Sequence, residues 1–202
     1  VEVEVNLATK GFPGFTIIGL PTKSVEEAKE RVKTALVNSG IDFPQAKIIV
    51  NLAPADIPKE GSCYDLPIAV GILSSLGLVR LPAEKSFFYG ELSLDGSLRH
   101  TRGVFLLALA AKEIKIANLF VPQPSANEAA VIKRLNIYAV VSLKQLVSHL
   151  VGVVPIQKLK TVSDRLSSDL PDLSPAEFDF AEILGQEQAK RALEIARSYT
   201  EN

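Results

Sequence analysis

The sequence has no tryptophan, no methionine, one cysteine and two histidines in 202 residues. Each shortage excludes something. A single thiol, Cys63, cannot close an internal disulfide, so the chain is no disulfide-stapled secreted domain, and a reducing, cytoplasmic setting is expected. His100, His149 and Cys63 are scattered and cannot supply the four ligands of a structural zinc, so no metal site is expected. No apolar run reaches the roughly 18 residues that suggest a membrane span. The first residues show no basic stretch, apolar stretch and cleavage pattern of a signal peptide. Charge of one sign is missing too: 22 Lys+Arg stand against 23 Asp+Glu, a formal net charge of −1. Neither end of the chain has the basic excess of a strong nucleic-acid binder. With no methionine even at position 1, and "VEVEVN" already alternating as a strand, the chain is expected to be part of a longer gene product.

What is present is the composition of a soluble globular chain, 47% hydrophobic and 22% charged. That is enough for one sizeable core and something smaller beside it. "VEVEVNLA" (1–8) alternates apolar and polar residues, the pattern of a half-buried strand. Phe15–Leu20 is a short apolar strand in a Gly/Pro-punctuated loop. In "SVEEAKERVKTALVNSG", Ser24 and Glu27 have capping-box spacing. Val25, Ala28, Val32, Ala35 and Leu36 follow at helical spacing, and Gly40 is the natural stop. Residues 46–54 form a buried-type strand ended by Pro54.

A polar loop then leads into "GSCYDLPIAVG" (61–71), which places Ser62 and Cys63 on a turn ahead of a helix. Asp65 is its expected N-cap, and the helix should run to about Leu76. "FFYGELSLDGSLRHTRG" (87–103) has the form of a hairpin turning at Asp95-Gly96. A helix (104–116), a strand "NLFVPQP", a helix opened by a second capping box at Ser125 and Glu128, a strand "IYAVVS" and a helix ended by Gly152 complete the pattern. The strand–helix–strand spacing suits parallel pairing. Residues 1–152 are therefore expected to form one α/β domain with helices packed on a mixed sheet. Residues 153–177 are polar and rich in Ser, Asp and Pro, as in a linker. Residues 178–202 resume helical spacing as the opening of a further domain.

Three stretches, "GFPGFTIIGLP", "VNLAPADIPKEGSCYDLPIAVGIL" and "GELSLDGSLRHTRGV", resemble the N-terminal domain of magnesium-chelatase-related AAA+ ATPases of the ComM/YifB type. "FDFAEILGQEQAKRALEIA" resembles the segment that opens the AAA+ module in that family. The resemblance implies a domain like the Lon-protease C-terminal domain (ribosomal-protein domain-2-like), then a linker, then a motor. It also implies a full-length ATPase using ATP and Mg²⁺, working as a homo-hexamer on branched or single-stranded DNA during natural transformation. In that family Ile183, Leu184, Gly185 and Gln186 would line the adenine pocket of the complete protein. The phosphate-loop pattern G-x-x-x-x-G-K-[ST] does not occur in the 202 residues, so the chain itself is expected to bind no nucleotide.

Lon-type proteases use a serine on a K-D-G-P-S-A-G turn and a lysine at the start of a later helix. Laid on that pattern, Lys59-Glu60-Gly61 opens the turn, Ser62 falls on the proline and Cys63 on the serine. The lysine position falls on Phe105, after "RGV". A thiol needs a base or a neighbouring cation to become a good nucleophile, and phenylalanine offers neither. Lys112, His100 and Arg102 are the nearest alternatives, and none has the required spacing. The expectation is a non-catalytic domain with degenerate protease positions Cys63 and Phe105, serving substrate engagement or ring assembly. Two alternatives stand beside it: a Lon-like peptidase with Cys63 as nucleophile, and a motor subunit of a metal chelatase. Glu91 and Asp95 could pair as acid and base, but Asp before Gly is accounted for by turn chemistry. Arg99, His100 and Arg102 make a small basic cluster, read as a solvated arm in preference to a phosphate contact.

Overall fold

The structure, a computed structural model, describes residues 1–8, 11–160 and 190–191. The chain divides into two units, Val1–Ser163 and Asp164–Asn202. In the second, only the helical Lys190 and Arg191 are described, so the architecture below is that of the first unit.

Strands β1 (Glu2–Ala8), β2 (Gly14–Ile18) and β3 (Lys47–Ala53) form a three-stranded sheet with β3 in the middle. β3 runs antiparallel to β1 and parallel to β2. Its period-two pattern buries Ile48, Val50 and Leu52 on one face. Between β2 and β3 lie α1 (Lys23–Glu26) and α2 (Ala28–Asn38), whose Val25, Ala28, Val32, Ala35 and Leu36 are all buried. The capping box expected at Ser24 and Glu27 does not form. Thr22 holds the cap position, and Glu27 separates the two helices. The cause is tertiary: Thr22 Oγ1 donates to Lys59 O at 2.9 Å and also meets Ser24 Oγ, drawing Ser24 into the first turn.

Helix α3 (Asp65–Ser75) is buried almost all round, with Leu66, Ile68, Ala69, Ile72 and Leu73 fully shielded. That is the signature of a central helix, and each of its large aliphatic side chains contributes about 1.5–3 kcal/mol by leaving water. Asp65 is not the cap. Tyr64 holds that position, and the Asp65 carboxylate turns inward to Arg31.

The long hairpin expected over 87–103 is divided. β4 (Ser86–Phe88) belongs to another sheet, and only β5 (Glu91–Leu92) and β6 (Leu98–Arg99) pair around Asp95-Gly96. β4 is drawn away because Lys85 O and Tyr89 N bond to Asn118 N and Phe120 O. Helix α4 (Val104–Glu113) leads to β7 (Asn118–Pro122), which is buried at every position. A 3-10 turn (Gln123–Ser125) and a short α5 (Ala126–Ala129) follow. The second capping box is also absent, because Ser125 Oγ accepts from Thr101 N at 2.9 Å. β8 (Asn136–Val140) completes a parallel sheet in the order β4-β7-β8. Among the described residues there are thus, instead of one mixed sheet, two three-stranded sheets and a two-stranded ribbon, and of these the first sheet is mixed.

The two faces of β4-β7-β8 serve two cores. Phe120 and Val140 join the core around α2, α3 and the first sheet. Leu119, Val121 and Ile137 join Val104, Ala108 and Ala129 on the other side. Helix α6 (Leu143–Leu150) starts at Ser142, whose Oγ accepts from Gln145 N. The expected linker does not leave the domain at Gly152. Ile156 is buried, Ile156 N donates to His149 Nδ1, and Leu159 N donates to Ile137 O. Residues 161–177 of the expected linker lie outside the described residues.

Candidate functional site

The turn before α3 and the segment after β4 are tied together by backbone bonds. Gly90 N donates to Cys63 O and Leu66 N donates to Gly90 O, each at 3.0 Å. A Cβ on Gly90 would lie 2.9 Å from Pro122 Cγ, so the close approach needs glycine. Gly61, at φ +84°, turns the chain into the loop. The result is a cleft of about 350 Å³ between Ser62 and Cys63 on one side and Tyr89, Glu91, His100 and Arg102 on the other.

Within it, Ser62 Oγ donates to the Glu91 carboxylate. Burial pushes the Cys63 thiol up, against the hydrogen bond with Tyr89, so it is held in its protonated form at neutral pH. Burial also pushes the Tyr89 phenol up, and its hydroxyl donates to Arg102 O at 2.8 Å. Lys59, the turn's own lysine, is fully buried and donates from Nζ to Pro54 O, outside the cleft. Phe105, at the family's lysine position, is 43% exposed on α4 and does not line the cleft. Lys112 is exposed near the far end of the same helix. The cleft therefore brings together a hydroxyl, a carboxylate, a half-buried thiol, an imidazole and a guanidinium, and none of its lining residues is a lysine.

Other candidates disperse. Glu91 meets Ser62, whereas Asp95 accepts from Ser97 N and Ser97 Oγ, bonds that hold its carboxyl below the usual range. Arg99 donates to Ser93 Oγ at 2.6 Å, and His100 Nε2 lies 3.5 Å from Glu128 Oε1. The basic cluster is thus partly engaged with its own domain. Ile183, Leu184, Gly185 and Gln186 lie outside the described residues.

Sequence reasoning missed the pair behind the turn. Arg31 donates from Nε to Asp65 Oδ2 at 2.7 Å and from Nη2 to Asp65 Oδ1 at 3.0 Å. Leu92 N donates to the same carboxylate, which has no solvent exposure. Burial pushes the Asp65 carboxyl up while Arg31 pulls it down, and the hydrogen bond to Asp65 raises Arg31 in turn. The pair fastens α2, α3 and β5 beneath the cleft. No local signal could have shown it, since 34 residues separate its members.

Fold and cleft define a class: a mixed α/β domain whose central helix opens on a Ser–Cys turn with no lysine among the described residues lining its cleft. The chain belongs to the magnesium-chelatase family, for the family described as subunit ChlI of Mg-chelatase matches residues 1–125. It is 41% identical over 204 residues to the competence protein ComM of Haemophilus influenzae, covering 100% of this chain and 39% of that protein. It is 38% identical over 197 residues to YifB of Salmonella typhimurium, covering 96% of this chain and 37% of that protein. YifB of Escherichia coli is also 38% identical, over 199 residues, with 96% and 37% covered. The chain thus spans less than two fifths of the length of these relatives.

Proposed function

We propose that this chain is the non-catalytic front portion of a magnesium-chelatase-family AAA+ motor that remodels branched DNA, with a Lon-protease-like α/β domain for substrate engagement or ring assembly. The observation that carries the reading is the 41% identity across the whole chain to a protein named for competence. The cleft supports the non-catalytic part: the thiol is shielded, and the turn's lysine is buried and bonded elsewhere. A nucleophile needs an adjacent base or a lowered pKa, and Cys63 has the opposite shift.

The full-length protein would use ATP and Mg²⁺, assemble as a hexamer and work in the cytoplasm. The described residues do not fit either cofactor. They contain no group of three His, Cys, Asp or Glu side chains able to hold a metal ion. The sequence has no phosphate-loop pattern. ATP and Mg²⁺ would therefore be held by other parts of the full-length protein.

The test is ATP hydrolysis by the full-length protein with forked, four-way and linear DNA, together with DNA binding by this chain over a range of salt. Stimulation by forked or four-way DNA above linear DNA is expected. No stimulation by any DNA would sink the motor reading. A flat salt slope for the chain would remove DNA contact from this domain and leave ring assembly. Hydrolysis of an unfolded protein substrate, lost in Cys63→Ala, would instead favour the peptidase. ATP-dependent insertion of Mg²⁺ into a porphyrin would favour the chelatase motor.

A further inference from the structure

β1 and β4 are both edge strands, each with one hydrogen-bonded neighbour. Each has a row of backbone groups turned away from that neighbour. On β1, Ser75 Oγ donates to Val5 O, so the Val5 carbonyl faces away from β3. In an antiparallel pair the outward residues recur every second position and present both N–H and C=O. Val3 and Val1 therefore face outward as well.

On β4, Lys85 O and Tyr89 N bond to β7, so Ser86 and Phe88 turn their backbone groups the other way. Gly90, next in that outward series, bonds to Cys63 and Leu66, which ends the open stretch. No described residue bonds to the outward backbone groups of Val3, Ser86 or Phe88. These two edges line one groove of about 550 Å³, whose floor is formed by Pro67, Val70 and Gly71 of α3. The groove has donors and acceptors at a two-residue repeat on both walls, and an apolar floor. Those are the requirements of a β-strand with one face on a helix. A small ligand would not match groups repeating along two walls.

We propose that the groove between β1 and β4 seats a further β-strand, supplied by the residues immediately preceding Val1 in the full-length protein. That strand joins the two three-stranded sheets into one sheet of seven, in the order β2-β3-β1-new-β4-β7-β8. The occupant follows from geometry. Val1 itself lines the groove, so residues upstream of it emerge at its mouth. Sequence neighbours pair in sheets about two thirds of the time, and a tethered strand acts at high effective concentration. Residues of the new strand that face α3 must be apolar to match Pro67 and Val70.

The test compares amide hydrogen exchange in the full-length protein and in this 202-residue chain. The amides of Val3, Ser86 and Phe88 are expected to exchange at least about a hundredfold more slowly in the full-length protein, because bonded strand amides exchange only on opening. Equal, fast exchange in both overturns the proposal. So does protection in the short chain that fades on dilution, which would assign the groove to a second copy. A second measurement uses Val3→Pro, which removes an outward N–H without touching the β1–β3 bonds, against Val3→Ala as a packing control. Relative to Val3→Ala, the proline lowers the thermal midpoint in the full-length protein and leaves the short chain unchanged. An equal effect in both sinks the strand assignment.

Discussion

At the scale of single residues, the buried Asp65 and the half-buried Cys63 decide how the cleft behaves. Asp65 has no solvent exposure and depends on Arg31 for its charge. Removing one partner of such a pair leaves a buried, uncompensated charge, at about 3–5 kcal/mol. Arg31→Met is expected to lower the unfolding free energy, read from urea denaturation, by that much. The double change Arg31→Met with Asp65→Leu should recover most of it, because neither charge is then left alone. A double mutant no more stable than Arg31→Met would show that the pair is not the fastening. Cys63 makes the second residue-scale prediction. Burial raises its thiol, so its rate with a disulfide reagent should keep climbing with pH through and above the ordinary thiol range. A rate that levels off below neutrality would reveal a thiolate and revive the nucleophile.

At the scale of elements, the sequence made periodic features legible and hid those that depend on distant partners. The stripe from Val25 to Leu36, the alternation of β1 and the parallel β7–β8 pair were visible because periodicity and crossover length are local properties. Both capping boxes failed because the hydroxyls nearby were engaged from afar, Thr22 by Lys59 and Ser125 by Thr101. The cleft was half legible. The Ser62–Cys63 turn showed in the sequence, but the Ser62–Glu91 bond spans 29 residues and did not.

The turn between β5 and β6 also leans on α2, since a Cβ at Gly96 would lie 2.4 Å from Ser39 Oγ at φ +84°. Gly96→Ala is expected to cost about 1–3 kcal/mol in chemical denaturation, from the left-handed backbone and the clash together. An unchanged midpoint would mean that the turn gives way freely. The segment from Val153 to Lys160 makes a pH prediction. His149 Nδ1 accepts from Ile156 N, and burial holds the imidazole below its ordinary value. The unfolded state thus takes up a proton first as pH falls. The His149 contribution is complete above about 6.5, the unfolded value, and is lost as pH drops from there through the lower folded value. Melting temperatures from pH 8 to pH 5 should show this slope, and His149→Phe should flatten it. A variant with the same slope as the parent would remove His149 from the account.

At the scale of the whole first unit, the sheet β4-β7-β8 is shared by two cores, so neither can melt without exposing the other. A single calorimetric transition is expected for this unit, with equal calorimetric and van 't Hoff enthalpies. Two resolved transitions within it would mean that the cores are independent. The sheet has one more consequence. Phe88 stacks on Phe120 at 4.7 Å, Phe120 stacks on Tyr138 at 4.6 Å, and His149 lies 5.2 Å from the Tyr138 ring. With no tryptophan in the chain and only four tyrosines, no indole masks the phenol signal. Near-ultraviolet dichroism that is lost in Tyr138→Phe therefore reports on the ring ladder and the docking of the segment after Gly152, without any introduced label.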